Sequence, residues 1–460
     1  MPALPQAFID TLNGLPGYDA AAFLAVHNSP ERITSVRLMP QKAQDITSVF
    51  PQLEAQRVPW TEGGYYLSSR PSFTFDPQFH SGAYYVQEAS SMFLEEALRQ
   101  TLPASSPLKA LDLCAAPGGK STLIQAALPA GSILVSNEVI RPRAALLADN
   151  LSRWGTPDVV VTNNDPRDFS RLENFFDLMV VDAPCSGSGL FRRDPEAVQE
   201  WSYDNVMLCS QRQQRILADA LPALKPGGIL IYSTCSYARE EDERLLDWLM
   251  EYDNFVSLPL QLQPEWHIVA TESPVHKAAG YRFYPDKVKG EGFFIACLRK
   301  EGEAASPKKG KNKFPEIAKK DVERILPWLK PGADVRMMAH DGEVLLVAPA
   351  VAEEITLLQQ LYIRKAGVKA GQLTDKELIP DHQLAMSTII SQDLPARELS
   401  LEDALHYLRR EDLRVDAALK GWALMRFRDM NLGWAKILPN RVNNYYPKEM
   451  RILKSGMPET

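Results

Sequence analysis

The chain is predicted to carry an α/β core, a largely parallel sheet covered by helices, with an accessory region before it and an α+β region after it. Three observations predict this. From residue 109 to 297, short apolar runs alternate with longer stretches of helical period, the pattern of repeated strand-helix-strand units. The 460 residues exceed what one ordinary core organises. The composition, 45% hydrophobic and 24% charged, is that of a globular protein with a sizeable interior, not of a disordered or fibrous chain.

The strand candidates are 110–113, 133–137, 159–161, 178–181, 229–232 and 293–298. Between them, 143–154, 206–224 and 240–250 carry apolar residues three and four apart, as core-facing helices do. Residues 1–82 hold two Pro-punctuated helical patterns and the segment RITSVRLMP, too irregular to extend the sheet, and read as an accessory domain ahead of the unit at 83–300. At 301–315, EGEAASPKKGKNKFP turns polar, charged and non-periodic, the composition of a solvated linker. Beyond it, 316–390 forms an intermediate domain, with a helix at 317–328 and a strand at 344–348. Residues 391–460 form a last domain, with a helix at 400–409 and the strand-like GWALMRFRD and GWAKILPN.

No apolar run approaches the roughly 20 residues of a membrane-spanning helix, and the N-terminus lacks a basic start followed by a long apolar segment. A cytoplasmic protein with no membrane association is expected. The five cysteines, at 114, 185, 209, 235 and 297, fit neither a disulfide framework nor paired zinc spacing, so reduced thiols and no metal are expected. The net charge of -7 excludes a uniformly basic surface, and any nucleic-acid contact must be local.

In KALDLCAAPGGKSTLIQAAL a strand meets an Ala-Pro-Gly-Gly turn and then a helix, and the glycines let the backbone approach a small ligand closely. The same turn would serve as a plain strand-to-helix connection. Glu138 ends the second strand, where an acid can accept both hydroxyls of a ribose, and Asp165 follows the third, where a carboxylate can meet an adenine amino group. Either acid, taken singly, is more often a solvated loop residue. There is no GxxxxGK[ST] phosphate loop and no GxGxxG, which disfavours an ATPase and weakens a dehydrogenase. S-adenosylmethionine carries no phosphate and suits such a turn.

The fourth strand breaks at Asp182 into Ala-Pro-Cys-Ser-Gly, and the fifth breaks at Ser233, Thr234, Cys235 and Ser236. In an open α/β sheet the ligand crevice lies at the carboxyl ends of the strands, so Asp182, Cys185 and Cys235 can share one cleft. Two thiols there have a use. Carbon 5 of cytosine is a poor nucleophile until a thiolate adds to carbon 6, and an acid near the ring nitrogen, for which Asp182 is placed, assists that addition. A free thiol with a pKa of about 8.5 gains from a nearby cation, and Lys120 is the candidate, although it would equally anchor a helix or touch the cofactor. A lone cysteine is more often a small core residue. That reading holds for Cys209 and Cys297, and Cys114 also packs at its strand end.

These motifs resemble the RNA 5-cytosine methyltransferases of the Nop2/Sun type, over roughly residues 80 to 300. LDLCAAPGGKS is similar to the family's cofactor turn, SNEVIRPRAALLADNLSRWG to its ribose contact and following helix, DAPCSGSG to its fourth motif and YSTCSY to its sixth. GAYYVQEASSM, GEGFF and the C-terminal extension resemble the bacterial branch acting on small-subunit ribosomal RNA. The family commonly carries Asn where RITSVRLMP has Met39.

The resemblance implies a Rossmann-like S-adenosylmethionine methyltransferase core with a PUA-like C-terminus. It implies Cys235 as the nucleophile on the base and Cys185 as the residue assisting release, with Asp182 and Lys120 beside them. It implies a cofactor site made by Cys114, Ala115, Ala116, Pro117, Gly118, Gly119, Lys120, Glu138, Arg143, Asp165 and Asp182. The first and last domains would then bind ribosomal RNA or the small subunit, with the protein a monomer. Transfer RNA as substrate, or an assembly factor that has lost catalysis, are the alternatives. Between 421 and 454, Arg426, Arg428, Lys436 and Arg441 lie among Trp422, Trp434, Tyr445 and Tyr446, as a surface for phosphates and unpaired bases would. A small β domain with an aromatic core reads the same way. The linker cluster Lys308, Lys309, Lys311 and Lys313 is a solvated run that would also steer RNA.

Overall fold

The apolar runs become strands of one sheet in the computed structural model, which describes residues 3–303, 315–413 and 419–456. Five of them, β1 (Lys109–Asp112), β2 (Ile133–Asn137), β3 (Val159–Thr162), β4 (Phe176–Asp182) and β5 (Leu224–Thr234), pair in parallel in the order β3-β2-β1-β4-β5. A hairpin absent from the sequence reading, β6 (Val269–Glu272) and β7 (Ala279–Phe283), joins through β8 (Phe293–Lys300), which lies antiparallel to β5. Consecutive residues divide between the faces, as a period of two requires. Leu111, Val135, Val160, Met179 and Leu230 enter one core, and Ala110, Leu134, Val161, Leu178 and Ile231 enter the other. Burial on both faces is why these strands read as unbroken apolar runs.

The chain leaves β1 for β2 and β3, then returns on the other side of β1 as β4. The crevice of an open sheet lies at such a reversal, outside the carboxyl ends of β1 and β4. Helices α1 (Gly119–Ala127), α2 (Arg141–Trp154), α3 (Tyr203–Ala220) and α4 (Glu243–Tyr252) cover the sheet. Helix α2 starts with Pro142 in its first turn and stops at Gly155, whose φ of 82° and backbone N–H to the Leu151 carbonyl form a left-handed cap.

The N-terminal segment RITSVRLMP supplies strand Thr34–Leu38 of a separate four-stranded antiparallel sheet and does not extend the central one. The helices Gln6–Leu12 and Ala20–Asn28 place Phe8 and Phe23 against Phe191, Trp201 and Tyr237, beneath the loops that follow β4 and β5.

Residues beyond the linker form cores of their own and also enter the central one. β9 (Ile363–Ala366) pairs antiparallel with β3 and covers that edge of the central sheet, while α5 (Pro349–Leu358) buries Val351, Ile355 and Leu358 in the same core as Leu111. The segment expected as an intermediate domain thus contributes β9 and α5 to the interior of 83–300. Its own sheet, 336–347 and 368–380, packs beside a last sheet of Ala396–Glu398, Gly421–Phe427, Met430–Leu438 and Arg441–Asn444. That last sheet touches the N-terminal domain, where Arg428 donates to the Gln78 amide oxygen at 3.1 Å. The linker lysines 308, 309, 311 and 313 lie outside the described residues. Among the described residues no helix is long and apolar enough to cross a membrane.

Candidate active site at the carboxyl ends of the strands

The two cysteines of the motifs meet. Cys185, in the loop after β4, and Cys235, directly after β5, have their sulfurs 2.8 Å apart as free thiols. Their loops are tied together through the backbone: Gly189 N–H donates to the Cys235 carbonyl at 2.8 Å, and Gly292 N–H donates to the Gly189 carbonyl at 3.1 Å. A Cβ on Gly189 would stand 2.4 Å from the Gly292 oxygen, so only glycine permits this approach.

A buried carboxylate missed in the sequence joins the same loops by their side chains. Glu241 Oε1 accepts from Ser186 N–H (2.8 Å) and Gln213 Nε2 (3.0 Å), and its Oε2 accepts from the hydroxyls of Ser186 (2.5 Å) and Ser236 (2.6 Å). Each serine follows one of the cysteines in sequence. Burial raises the Glu241 carboxyl above its ordinary range, and these four bonds oppose the rise. Below it, Arg282 pairs with Asp242 (3.1 Å) and Glu243 (2.5 Å), and Thr234 donates to Asp242 at 2.7 Å.

Lys120, at the start of α1, reaches Asp182 at the end of β4, with Nζ 2.7 Å from Oδ2, while Ser233 Oγ donates to Oδ1 at 2.9 Å. Burial pulls the Lys120 ammonium down, but the charge and hydrogen bond of Asp182 together with Cys235 and Asp112 outweigh it and hold it above its ordinary value. Lys120 therefore stays charged beside the thiols. The Cys185 thiol is raised well above the usual range by its hydrogen bond to Cys235 and by burial, so this sulfur keeps its proton.

The turn after β1 is held from three sides. Asn150 of α2 donates to the Pro117 carbonyl at 2.7 Å, Arg143 donates to the Ala116 carbonyl at 2.9 Å, and Ala115 N–H donates to the Asn137 carbonyl at 2.8 Å. Gly118 takes φ 115° where α1 begins. Arg37 of the N-terminal sheet, buried, donates to Thr122 Oγ1 (2.6 Å), the Gly119 carbonyl (3.3 Å) and Gln87 (2.9 Å), bracing α1 from behind.

Glu138 is buried, accepts from Ile140 N–H at 2.9 Å and lies 3.5 Å from Arg143. Asp165 caps the turn that follows β3 by accepting from Arg167 N–H at 3.2 Å. Asp112, unremarked in the sequence, is fully buried, with Oδ2 accepting from Ser121 (2.6 Å) and Oδ1 without a partner; burial pushes it up to about 7. Burial, then Asp112, Asp182 and Glu138, push the Cys114 thiol far up. So many carboxyl groups around a glycine turn with no phosphate cradle suit a cationic ligand, and the sulfonium of S-adenosylmethionine fits. Among the described residues no group of His, Cys, Asp and Glu is arranged to hold a metal ion.

The four cations expected to meet RNA differ in their surroundings within the fold. Arg426 donates to Asn431 (2.9 Å), Arg428 to Gln78, and Lys436 pairs with Glu377 (2.5 Å) over the Trp422 ring. Arg441 stands exposed at the start of its strand. Trp434 and Tyr446 are core residues, 1% exposed each, whereas Tyr445 is 40% exposed and packs edge-on to Trp422.

Residues 100–299 match the family described as 16S rRNA methyltransferase RsmB/F, residues 4–89 the N-terminal domain of 16S rRNA methyltransferase RsmF, and residues 395–452 the methyltransferase RsmF PUA domain. The ribosomal RNA small subunit methyltransferase F of Citrobacter koseri is 32% identical, covering 85% of this chain and 84% of its own. That of Vibrio atlanticus is 29% identical over 97% of both chains. Among solved structures, a methyltransferase homolog protein from Pyrococcus horikoshii superposes with a TM-score of 0.52 at 29% identity, over 65% of this chain and 100% of its own. NSun6 from the same organism, solved with SFG, gives 0.54 at 18% identity over 65% and 99%, a likeness of fold.

Proposed function

Because this chain belongs to the RsmB/F family of Nop2/Sun-type RNA methyltransferases, we propose that it methylates carbon 5 of cytosine in small-subunit ribosomal RNA, with Cys235 as the nucleophile and Cys185 as its partner. The observation that carries the reading is the sulfur pair: two thiols 2.8 Å apart at the carboxyl ends of adjacent parallel strands, beside the Lys120–Asp182 ion pair.

The turn Cys114 to Lys120, with Glu138, Arg143, Asp165 and Asp182, would hold S-adenosylmethionine. When bound, it supplies the electrophilic methyl group that carbon 5 takes up. Cys235 Sγ, as thiolate, forms the bond to carbon 6 of the ring, and the pair of electrons displaced makes carbon 5 nucleophilic. The Lys120 ammonium stabilises that thiolate and fixes Asp182, whose second oxygen is steadied by Ser233. Asp182 would share a proton with the ring nitrogen on which negative charge builds. After methylation the hydrogen at carbon 5 leaves to a base as the bond between Cys235 Sγ and carbon 6 breaks and the thiolate is returned, and the position of Cys185, 2.8 Å from that sulfur, supports a part in this release. The target base must be unpaired or flipped to reach this crevice.

The test is methyl transfer from labelled S-adenosylmethionine to a small-subunit ribosomal RNA transcript. Cys235→Ala should abolish incorporation, and full activity in that variant would end the assignment. Cys185→Ala should accumulate a covalent protein-RNA adduct, seen as a shifted band on a denaturing gel; turnover without any adduct would remove Cys185 from release.

A further inference from the structure

A cavity of about 370 Å³ lies between the N-terminal sheet and α2, and nothing described above uses it. Phe73, Phe79, Tyr85 and Trp154 line it with Arg70 and Arg153. The Arg70 guanidinium sits over the Phe73 ring at 5.2 Å and that of Arg153 over Phe79 at 5.0 Å. Among the described residues no carboxylate pairs with either, since Asp149, whose charge Arg153 feels, is beyond ion-pair distance. Flat rings beside two un-neutralised guanidiniums match a planar base joined to an anionic phosphate.

Its position adds to this. Tyr85 stands against the cofactor turn, 3.1 Å from where a Cβ on Gly119 would be. Arg70 and Val86 are shared with a narrow cleft that continues past Gln87 and Arg193 to Glu291. The next residue, Gly292, is the one bonded to the loop carrying the Cys235 contact. The aromatic cavity thus adjoins a cleft that runs toward the segment whose next residue, Gly292, bonds the cysteine loop.

We propose that this cavity is a subsite for a second unpaired nucleotide of the RNA strand whose target base enters the cysteine cleft, its base among the aromatic rings and its phosphate on Arg70 and Arg153. The subsite rests on the function proposed above. It holds the strand at two points, so that the target base is presented without sequence-specific contacts around it.

Leu146, at the cavity on α2, is 48% exposed, so Leu146→Trp fills the space without disturbing a core. With the full chain and a small-subunit ribosomal RNA transcript, Leu146→Trp should weaken RNA binding by roughly ten- to a hundredfold, the effect of losing one stacked base. Cofactor affinity and kcat at saturating RNA should be unchanged. Arg70→Ala should weaken binding and lower the salt slope of log K by about one phosphate contact. Crosslinks from 4-thiouridine in the transcript should map to 70–86. Unchanged RNA affinity in both variants, with methylation intact, would overturn the subsite alone. Saturation of the cavity by free mononucleotide with no effect on RNA binding would also overturn it. If the unaltered chain neither bound nor methylated the RNA, both readings would fall.

Discussion

Replacing Glu241 by glutamine would separate the positioning of the sulfur pair from its chemistry. The side chain keeps its shape and retains one carbonyl oxygen for Ser186 N–H and Gln213 Nε2. Its amide nitrogen then faces the two serine hydroxyls, which must turn round and accept. Four charge-assisted bonds worth about 1.5–3 kcal/mol each become neutral ones worth about 0.5–1.5. Removing a buried charge, whose desolvation itself costs several kcal/mol, offsets most of that loss, leaving a net destabilisation of about 1–3 kcal/mol. The geometry changes more tellingly. Hydroxyl-carboxylate contacts of 2.5 and 2.6 Å relax to the roughly 2.9 Å of an N–H···O bond, shifting the two cysteine loops by a few tenths of an ångström. Since a misplacement of about 1 Å costs on the order of a hundredfold, kcat should fall about three- to tenfold while the KM for S-adenosylmethionine holds. Initial rates at saturating RNA, alongside urea unfolding, measure both. Glu241→Ala leaves two N–H donors without acceptors and should cost roughly 2–6 kcal/mol. A glutamine variant with unaltered kcat would refute the positioning argument. So would a kcat loss matched by loss of cofactor affinity, which would mean the whole site had moved.

Two further outcomes follow from buried charges. Asp112 is raised to about 7 from an ordinary 3.8, so its contribution is fully present below about pH 4 and is lost as pH climbs through 7. At about 1.4 kcal/mol per unit this is on the order of 4 kcal/mol, and cofactor-free Asp112→Asn should gain on the unaltered chain between pH 5 and 8 in urea unfolding. A pH-independent difference would refute it. Arg37→Met removes three hydrogen bonds in a buried site and should cost about 2–4 kcal/mol while raising the KM for S-adenosylmethionine, because the start of α1 loses its brace. Unchanged cofactor binding would place Arg37 in folding alone.

The parallel strands were legible because their residues are buried on both faces, and the cysteine loops because Ser and Gly break an apolar strand. Glu241 was not. AREEDE has the composition of a solvated helix start, and its burial arises only when Gln213 of α3 and Ser186 close over it. Arg37 was hidden for a related reason: all five residues of its strand are buried, so no alternation marked which side chain faced what. The C-terminal cations illustrate the limit of counting charges. Arg428 and Lys436 read only as cations in the sequence, and their partners Gln78 and Glu377 lie too far away along the chain for a count of charges to reveal. The hairpin β6–β7 went unread because neither short strand carries an apolar run, β6 at the edge of the sheet and β7 between it and β8.

The strand β9 has a consequence for how this molecule is made. Until synthesis has passed Ile363, the edge of β3, Val159–Thr162, has no partner, although every residue of that strand is apolar or β-branched. A nascent chain that has already completed the cysteine loops therefore still displays an open template for intermolecular pairing. Expressed alone, the stretch up to the linker would carry that edge permanently, so aggregation of such a fragment would report a missing strand and not a defective catalytic centre.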